Sequence, residues 1–323
     1  MTAVPPRSLA AALSLAILFL PTLAKEEKAP RRDRAWVAAQ LAAWDLTGDG
    51  APPFRLVAKL EVFSQNGSWV TGSYALTWAA PDRWREELRF PGHEETEALA
   101  GDVRWRQRPT RYRPRLPWLL TSTVRGDRFP SPEPKDFRQT KSKGGNPALA
   151  CIGNACVNAF TGEPHAGEVF DVTIGFDSPE EFPLRRWPRA YHAMEDGREI
   201  ARAAIQTLES LDAPDAAAFS PPAGADQTPA CGRPTAPRVI PSTKVKPPYP
   251  EALRQEHVEG FARLRATIAS DGSVQEIELS RATHPQLGDL ALDAVRQWRY
   301  APALCGDRPV PIEVWLKVRW DLQ

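Results

Sequence analysis

The sequence predicts an α+β protein with an antiparallel sheet in its N-terminal part and a small helix-covered sheet at its C-terminal end. Three observations support this prediction. Runs rich in β-forming residues over residues 54–107 are broken by turn residues about every ten positions. After residue 260, two segments alternate strictly between apolar and polar residues, and between these segments apolar residues recur at helical spacing. The 323 residues suffice for about two domains of roughly 150 residues each.

The N-terminal part, residues 30–219, is predicted to form a curved, half-barrel-like antiparallel sheet. Its runs FRLVAKLEVF, SWVTGSYALTW, RWREELRF and VRWRQ are separated by turn residues. A helix is predicted over residues 34–44, where Val37, Leu41 and Trp44 have helical spacing. Residues 108–146 are rich in arginine, lysine and proline, which predicts irregular chain over one side of the sheet.

A proline-rich linker is predicted at residues 220–245. Nine prolines fall within residues 220–250. Such composition favours the polyproline II conformation, which makes a semi-rigid spacer. We therefore expect a boundary here, followed by a second domain at residues 246–323.

That second domain is predicted to be a helix on a three-stranded antiparallel sheet. FARLRATI alternates as a half-buried strand, and VQEIEL follows with a break in phase between Val274 and Ile277 that predicts a bulge. VPIEVWLKVRWDL alternates throughout. The helical stripe comprises Leu287, Leu290, Ala291, Ala294, Val295 and Trp298.

The sheet face away from this helix is expected to be solvated, and its edges open. On that face the alternation places four basic residues: Arg263, Arg265, Lys317 and Arg319. Unpaired main-chain groups at a sheet edge either recruit a further strand or threaten aggregation. The basic face is thus either a plain solvated surface or one that discourages sheet stacking while leaving an edge free for a peptide.

The motifs of residues 246–323 resemble the C-terminal domain of the periplasmic energy transducer TonB. They are PPYPEALR, Gly260 before an alternating strand, DGSV, LDAVRQWRYAPA and the terminal strand after RPVP. The resemblance implies strand addition of a short segment of an outer-membrane TonB-dependent transporter, in energy-coupled transport. It assigns partner binding to the last strand: Ile312, Glu313, Val314, Trp315, Leu316, Lys317, Val318 and Arg319.

The N-terminal region resembles the LolA-like lipoprotein carriers, in which a curved antiparallel sheet and a helix enclose an acyl-chain cavity. The motifs are APDRWREELRF, the VRWRQRP strand and LDAPDAAAFSPPAGA. The alternative function is therefore a lipid or lipoprotein carrier with a hydrophobic cavity in this sheet. Strand aromatics either line such a cavity or form ordinary core: Trp69, Trp78, Trp84 and Trp105.

Residues 1–24 have the three parts of a secretory signal peptide: a basic start, an apolar run over residues 9–20, and Thr22-Leu23-Ala24 before charged residues. We expect a periplasmic protein that begins at Lys25. An uncleaved inner-membrane anchor is the alternative, although spanning needs roughly 20 apolar residues. A full TonB transducer resembles an anchored rod, so a cleaved signal argues against force transmission more than against strand binding.

Export predicts that the four cysteines form disulfides. In CIGNAC, a two-residue turn at Gly153-Asn154 places Cys151 opposite Cys156 at cross-strand distance. This leaves Cys231 for Cys305. Zinc is the competing interpretation, but the gaps lack paired CxxC spacing.

Catalytic, cofactor and nucleic-acid functions find no support in the sequence. The net charge of +1, from 41 basic and 40 acidic residues, argues against a nucleic-acid partner. No nucleophile, metal-ligand or phosphate-loop motif is found, which predicts a non-enzyme without a cofactor. Glu94, Glu95 and Glu97 beside His93 are either a site or a solvated turn.

Overall fold

The computed structural model describes residues 28–48, 50–64, 66–110, 112–126, 137–141, 148–152, 155–165, 167–169, 172–231, 234–257 and 259–321. The predicted signal peptide, residues 1–24, lies outside the described residues. Within them strands predominate over helices, which confirms the α+β class.

Sixteen strands of the described residues precede residue 230. They are β1 (Phe54–Phe63), β2 (Trp69–Ala80), β3 (Arg83–Phe90), β4 (His93–Ala100), β5 (Val103–Gln107), β6 (Phe137–Gln139), β7 (Leu149–Ile152), β8 (Ala155–Asn158), β9 (Pro164–His165), β10 (Gly167–Val169), β11 (Val172–Phe176), β12 (Pro179–Glu180), β13 (Trp187–Pro188), β14 (Ala190–Glu195), β15 (Arg198–Ser210) and β16 (Asp226–Pro229).

Seven more strands of the described chain follow. They are β17 (Arg238–Val239), β18 (Gly260–Ile268), β19 (Val274–Ala282), β20 (Tyr300–Ala301), β21 (Ala303–Cys305), β22 (Arg308–Val310) and β23 (Ile312–Trp320). The α-helices in the same ranges are α1 (Arg34–Ala43), α2 (Arg115–Arg125), α3 (Glu251–Gln255) and α4 (Pro285–Arg296).

Ten of the described strands form one antiparallel sheet, the large sheet, in the order β10-β11-β14-β15-β1-β2-β3-β4-β5-β16. This confirms the predicted N-terminal antiparallel sheet. Strand β1 lies near its middle, and alternate residues Phe54, Leu56, Ala58 and Leu60 are fully buried. Since side chains alternate across a strand, this burial places the main core on one face.

Helix α2 packs on that core. Its Leu119, Leu120 and Val124 belong to the same buried cluster as the inward residues of β1. Gly126 ends the helix with a positive φ of 81°, which glycine adopts without steric cost. The expectation of irregular chain was therefore wrong for residues 115–125. Pro117 lies in the first turn, where proline is tolerated, so the proline content of this segment does not prevent a helix.

Helix α1 confirms the helix predicted at residues 34–44, and it packs on a separate four-stranded sheet, β6-β7-β8-β9. Val37 of the helix is buried against Ala150 and Val157 of that sheet. Cys151 and Cys156 face each other on β7 and β8 and form a disulfide. The register deduced from CIGNAC is thus confirmed.

The segment predicted as a linker, residues 220–245, contains paired strands. Strand β16 pairs with β5 and extends the large sheet, whereas β17 pairs with β20. Proline is tolerated at sheet edges, and Pro229 closes the edge strand β16. Cys231 then forms the second predicted disulfide with Cys305, which fastens the segment to the hairpin β21–β22.

The C-terminal part contains a three-stranded antiparallel sheet, the small sheet, in the order β19-β18-β23. Helix α4 covers one face, where Leu287, Ala291 and Val295 are fully buried. This arrangement confirms the predicted helix on a three-stranded sheet. The predicted bulge is also present, because the β18–β19 register shifts twice and Glu276 has a φ of 54°.

Candidate functional site

The terminal strand β23 lies at an edge of the small sheet. It pairs with β18 without a register shift, from Ile312 opposite Ile268 to Trp320 opposite Gly260. Among the described residues, no strand pairs with its other side. In an antiparallel edge strand, alternate residues direct both N–H and C=O outward. The strand therefore presents a regular row of main-chain donors and acceptors.

The opposite edge, β19, is irregular and partly covered. Two register shifts bend it, and bulges of this kind blunt a sheet edge. The Tyr112 hydroxyl donates to the carbonyl of Glu276 at 2.8 Å and contacts Thr267 Oγ1 at 2.8 Å. Arg281 near the end of β19 pairs with Glu195 and Asp196 beside the large sheet. The two edges thus differ in their capacity to accept a strand.

The eight residues assigned to partner binding divide between two faces. Ile312, Val314 and Leu316 are half-buried against the core of the small sheet, and Val318 is buried in it. The other four point away from helix α4, and their surroundings change along the strand. Glu313 and Trp315 are half-buried, whereas Lys317 and Arg319 are exposed.

Glu313 is held by three arginines. Its Oε1 accepts from Arg106 Nη1 at 3.1 Å and from Arg108 Nη2 at 2.9 Å, and its Oε2 accepts from Arg265 Nη2 at 2.7 Å. Burial opposes ionisation, but attraction to Arg265 and Arg108 is stronger, so the pKa of Glu313 lies below its usual range. Two of these arginines precede α2 and one lies on β18, so Glu313 joins the two parts of the chain.

The expectation of a solvated basic face was wrong for two residues. Arg263 is 1% exposed and Arg265 is 6% exposed. Arg265 lies among aromatic rings, 4.8 Å from the Tyr112 centroid and 5.2 Å from that of Trp315, and donates to the Arg113 carbonyl at 2.6 Å. The physical reason at Arg265 is that its side chain packs on the chain around α2 and not on water. Lys317 and Arg319 are exposed as expected.

A buried ionic cluster lies behind this contact, on β3 and β4. Arg113 Nη2 donates to Glu86 at 2.6 Å, and Arg113 Nε donates to Glu95 at 3.1 Å. Burial raises the pKa of Glu86, but the charges of Arg113 and Arg125 outweigh that effect and lower it to about 2. The acidic group near His93 is therefore not a solvated turn. His93, Glu95 and Glu97 are alternate inward residues of β4, a spacing that the sequence displayed.

Between the two parts lies a cavity of ≈ 700 Å³. Its walls come from β3–β5, α2, the segment after β16, and residues 308–313. Of the four tryptophans considered for a cavity, Trp84 and Trp105 line it, Trp78 is in the main core and Trp69 is 37% exposed. The cavity walls combine these indole rings with arginine and glutamate side chains.

The described ranges contain neither a metal-ligand cluster nor a membrane-spanning helix. No group of three or more histidine, cysteine, aspartate or glutamate residues there is arranged to hold a metal ion. In the same ranges no helix combines the length and apolar character needed to cross a bilayer. The four cysteines are all paired.

The C-terminal part of this chain is similar to a known protein family. Residues 245–322 match the family model of the Gram-negative bacterial TonB protein C-terminal. Protein TonB of Vibrio cholerae is 26% identical over 83 residues, which are 25% of this chain and 34% of that protein. The match thus spans about a third of the curated relative. The resemblance stated from the motifs is confirmed for the C-terminal part.

Solved structures similar to this chain include the Pseudomonas aeruginosa TonB C-terminal domain, at 20% identity and a TM-score of 0.24, covering 27% of this chain and 87% of that one. A LolA superfamily protein from Nitrosomonas europaea is 13% identical, with a TM-score of 0.40, and covers 57% of this chain and 97% of that one.

Proposed function

We propose that the small sheet binds an extended segment of a partner protein by strand addition along β23, at residues 312–319. The single observation that carries the proposal is the contrast between the two edges. Strand β23 is regular over nine residue pairs, whereas β19 is bulged and hydrogen-bonded to Tyr112. A regular unpaired edge is the kind that a guest strand extends.

The partner we propose is a peptide segment of an outer-membrane TonB-dependent transporter, or of another protein that exposes such a segment to the periplasm. The match of residues 245–322 to the TonB C-terminal family supports this choice. Net contributions of roughly 0.5 to 1.5 kcal/mol per main-chain hydrogen bond suggest a Kd no tighter than about micromolar for a five-residue segment, unless side-chain pockets add to the affinity. Energy coupling to a motor would require an anchor, and it is not part of the proposal.

We further propose an exported, periplasmic protein whose mature chain begins at Lys25. Two disulfides, Cys151–Cys156 and Cys231–Cys305, support an oxidising compartment. Inner-membrane anchoring through residues 1–24, facing the periplasm, is the alternative. The N-terminal residue of the mature protein, determined after fractionation, distinguishes the two: Met1 in the membrane fraction would contradict cleavage.

The alternative function, a lipid or lipoprotein carrier with an apolar cavity, receives less support. Seven arginines and four glutamates of the described residues line the cavity between the two parts. Burying acyl chains against ionised groups is unfavourable, so acyl chains in this cavity would have to lie against its tryptophans, Trp84, Trp105 and Trp118. Extraction of the purified protein with organic solvent, followed by mass spectrometry, tests this alternative, and stoichiometric acyl chains would restore it.

Photo-crosslinking finds the partner segment. Arg319 on β23 and Glu278 on β19 are each replaced by p-benzoylphenylalanine in cells, since both side chains are exposed. We expect a crosslinked segment from position 319 and not from position 278. Crosslinks from both edges alike, or from position 278 alone, would contradict the edge assignment.

Paired proline variants then test the binding mode with the synthetic form of that segment. Because outward N–H groups alternate, one of the neighbours Leu316 and Lys317 has an N–H that points away from β18. The variants are Leu316→Pro and Lys317→Pro. We expect one of them to keep its Tm and lose binding by calorimetry, because proline has no N–H to donate to the guest. Unchanged affinity in the stable variant would refute strand addition.

A further inference from the structure

The cavity between the two parts carries a surplus of positive charge. Among the described residues its walls contain seven arginines and four glutamates, a surplus of three positive charges. The glutamates are already engaged by arginines: Glu86 by Arg113 and Arg125, Glu95 by Arg113, Glu97 by Arg104, and Glu313 by Arg106, Arg108 and Arg265. The remaining charge has no counterpart in the described walls.

Three of the arginines retain donors for a ligand. Arg308 has no carboxylate within ion-pairing distance in the described chain, and it is exposed on β22. Arg104 uses its Nε for Glu97, and Arg106 uses Nη1 for Glu313. A guanidinium has five N–H donors, so several on each remain. Forked guanidinium donors match the oxygens of a phosphate in pairs.

One further arginine of the cavity wall is buried. Arg265 lines the cavity and is 6% exposed. Its Nε is covered by protein atoms, so Arg265 adds positive charge to the wall and not a free donor. The indole rings of Trp84, Trp105 and Trp118 also line the walls, and the Arg104 guanidinium lies 5.8 Å from the Trp84 centroid.

From these observations we propose that the cavity binds a phosphate-bearing ligand. A phosphate monoester carries nearly two negative charges near neutral pH, which matches a surplus of three better than one carboxylate does. The indole walls leave room for an apolar part beside the charged group. This site lies between the two parts and does not depend on strand addition at β23, so either proposal can fail alone.

The test is isothermal titration of the mature, disulfide-bonded chain with three probes: pyrophosphate, glycerol 3-phosphate and dihexanoyl phosphatidic acid below its micelle concentration. We expect saturable binding of phosphate compounds that weakens as salt is raised. Tighter binding of dihexanoyl phosphatidic acid than of glycerol 3-phosphate would identify a lipid headgroup as the source, and equal binding would identify a free phosphate compound. No saturable binding of any probe would overturn the proposal.

Arginine variants locate the site. Arg308→Gln removes an exposed guanidinium that makes no ion pair in the described chain, so the fold should be kept. We expect it to weaken binding roughly tenfold, the loss of about one charge-assisted hydrogen bond. Arg308→Lys should recover part of that loss. Arg198→Gln, which changes an exposed arginine outside the cavity, is the matched control. An equal loss in Arg198→Gln would show non-specific attraction and refute the site.

Discussion

The indole rings of Trp118 and Trp315 lie with their centroids 5.4 Å apart, tilted by 47°. Trp118 is on helix α2, which packs on the large sheet, and Trp315 is in the middle of the terminal strand β23. The same strand that offers an open edge therefore also joins the two parts of the chain. Its side chains contact the rest of the chain, whereas no strand among the described residues pairs with its outer side.

The Trp118–Trp315 pair should contribute measurably to stability. A double-mutant cycle of Trp118→Ala and Trp315→Ala is expected to give a coupling energy of about 0.5 to 1.5 kcal/mol, as for other aromatic pairs. Urea unfolding measures it. The control cycle combines Trp118→Ala with Trp69→Ala, whose ring lies against Phe63 at the rim of the large sheet. The effects of these two changes on the free energy of unfolding should be additive. A coupling energy as large as that of the first cycle would contradict a local contact between Trp118 and Trp315.

Glu313→Gln should destabilise the protein at neutral pH. The change leaves Arg108 and Arg265, whose side chains are each 7% exposed, without their shared carboxylate. We expect the free energy of unfolding to fall by about 2 to 3 kcal/mol. This is at or below the low end of the cost of breaking a buried ion pair, because Glu313 itself is 29% exposed. Urea unfolding at pH 7 checks the value.

The effect of Glu313→Gln should disappear in acid. The folded pKa of Glu313 is below the unfolded one, so its stabilisation is complete above about pH 4.5 and is lost as pH falls through the folded pKa. Wild type and variant should therefore converge in unfolding free energy at low pH. Glu278→Gln, on an exposed side chain of β19, serves as the control and should show no such convergence. A pH-independent difference in Glu313→Gln would contradict the ionic role.

The two disulfides should differ in their contribution to stability. Cys231–Cys305 spans 74 residues and Cys151–Cys156 spans five. In the chain-entropy model, losing the long loop costs about 4 kcal/mol and losing the short loop about 2 kcal/mol. Alanine replacement of each pair, followed by urea unfolding, compares them. A larger loss for the short-loop variant would show that strain or residual structure outweighs loop entropy.

Tyr112→Phe should loosen the protected edge β19. The variant loses the hydroxyl that reaches both Glu276 and Thr267, at an expected cost of about 1 kcal/mol. Amide hydrogen exchange around Glu276 should accelerate, while exchange along β23 should change little. Unchanged exchange at residues 276–278 would mean that the bulge, and not the tyrosine, protects this edge.

Local patterns in the sequence determined most of the secondary structure of the C-terminal part and the pairing of β7 with β8 in the N-terminal part. The alternation of β18 and β23, the stripe of α4, the break in phase near Val274 and the cross-strand pairing of Cys151 with Cys156 were all readable from residue spacing. Each depends on residues close in the chain. Periodicity fixes which side chains share a face, because strand and helix geometry repeat regularly.

Only the tertiary structure decided what each face contacts. The contacts of Arg265 and Glu313 join residues far apart in sequence: Arg113 and Arg265 are separated by 152 residues, and Arg106 and Glu313 by 207. The alternating sequence pattern of a strand is the same whether its polar face contacts water or another part of the chain. For this reason the sequence indicated the edge strand, whereas the buried arginines, the ionic role of β4 and the charged cavity required the folded chain.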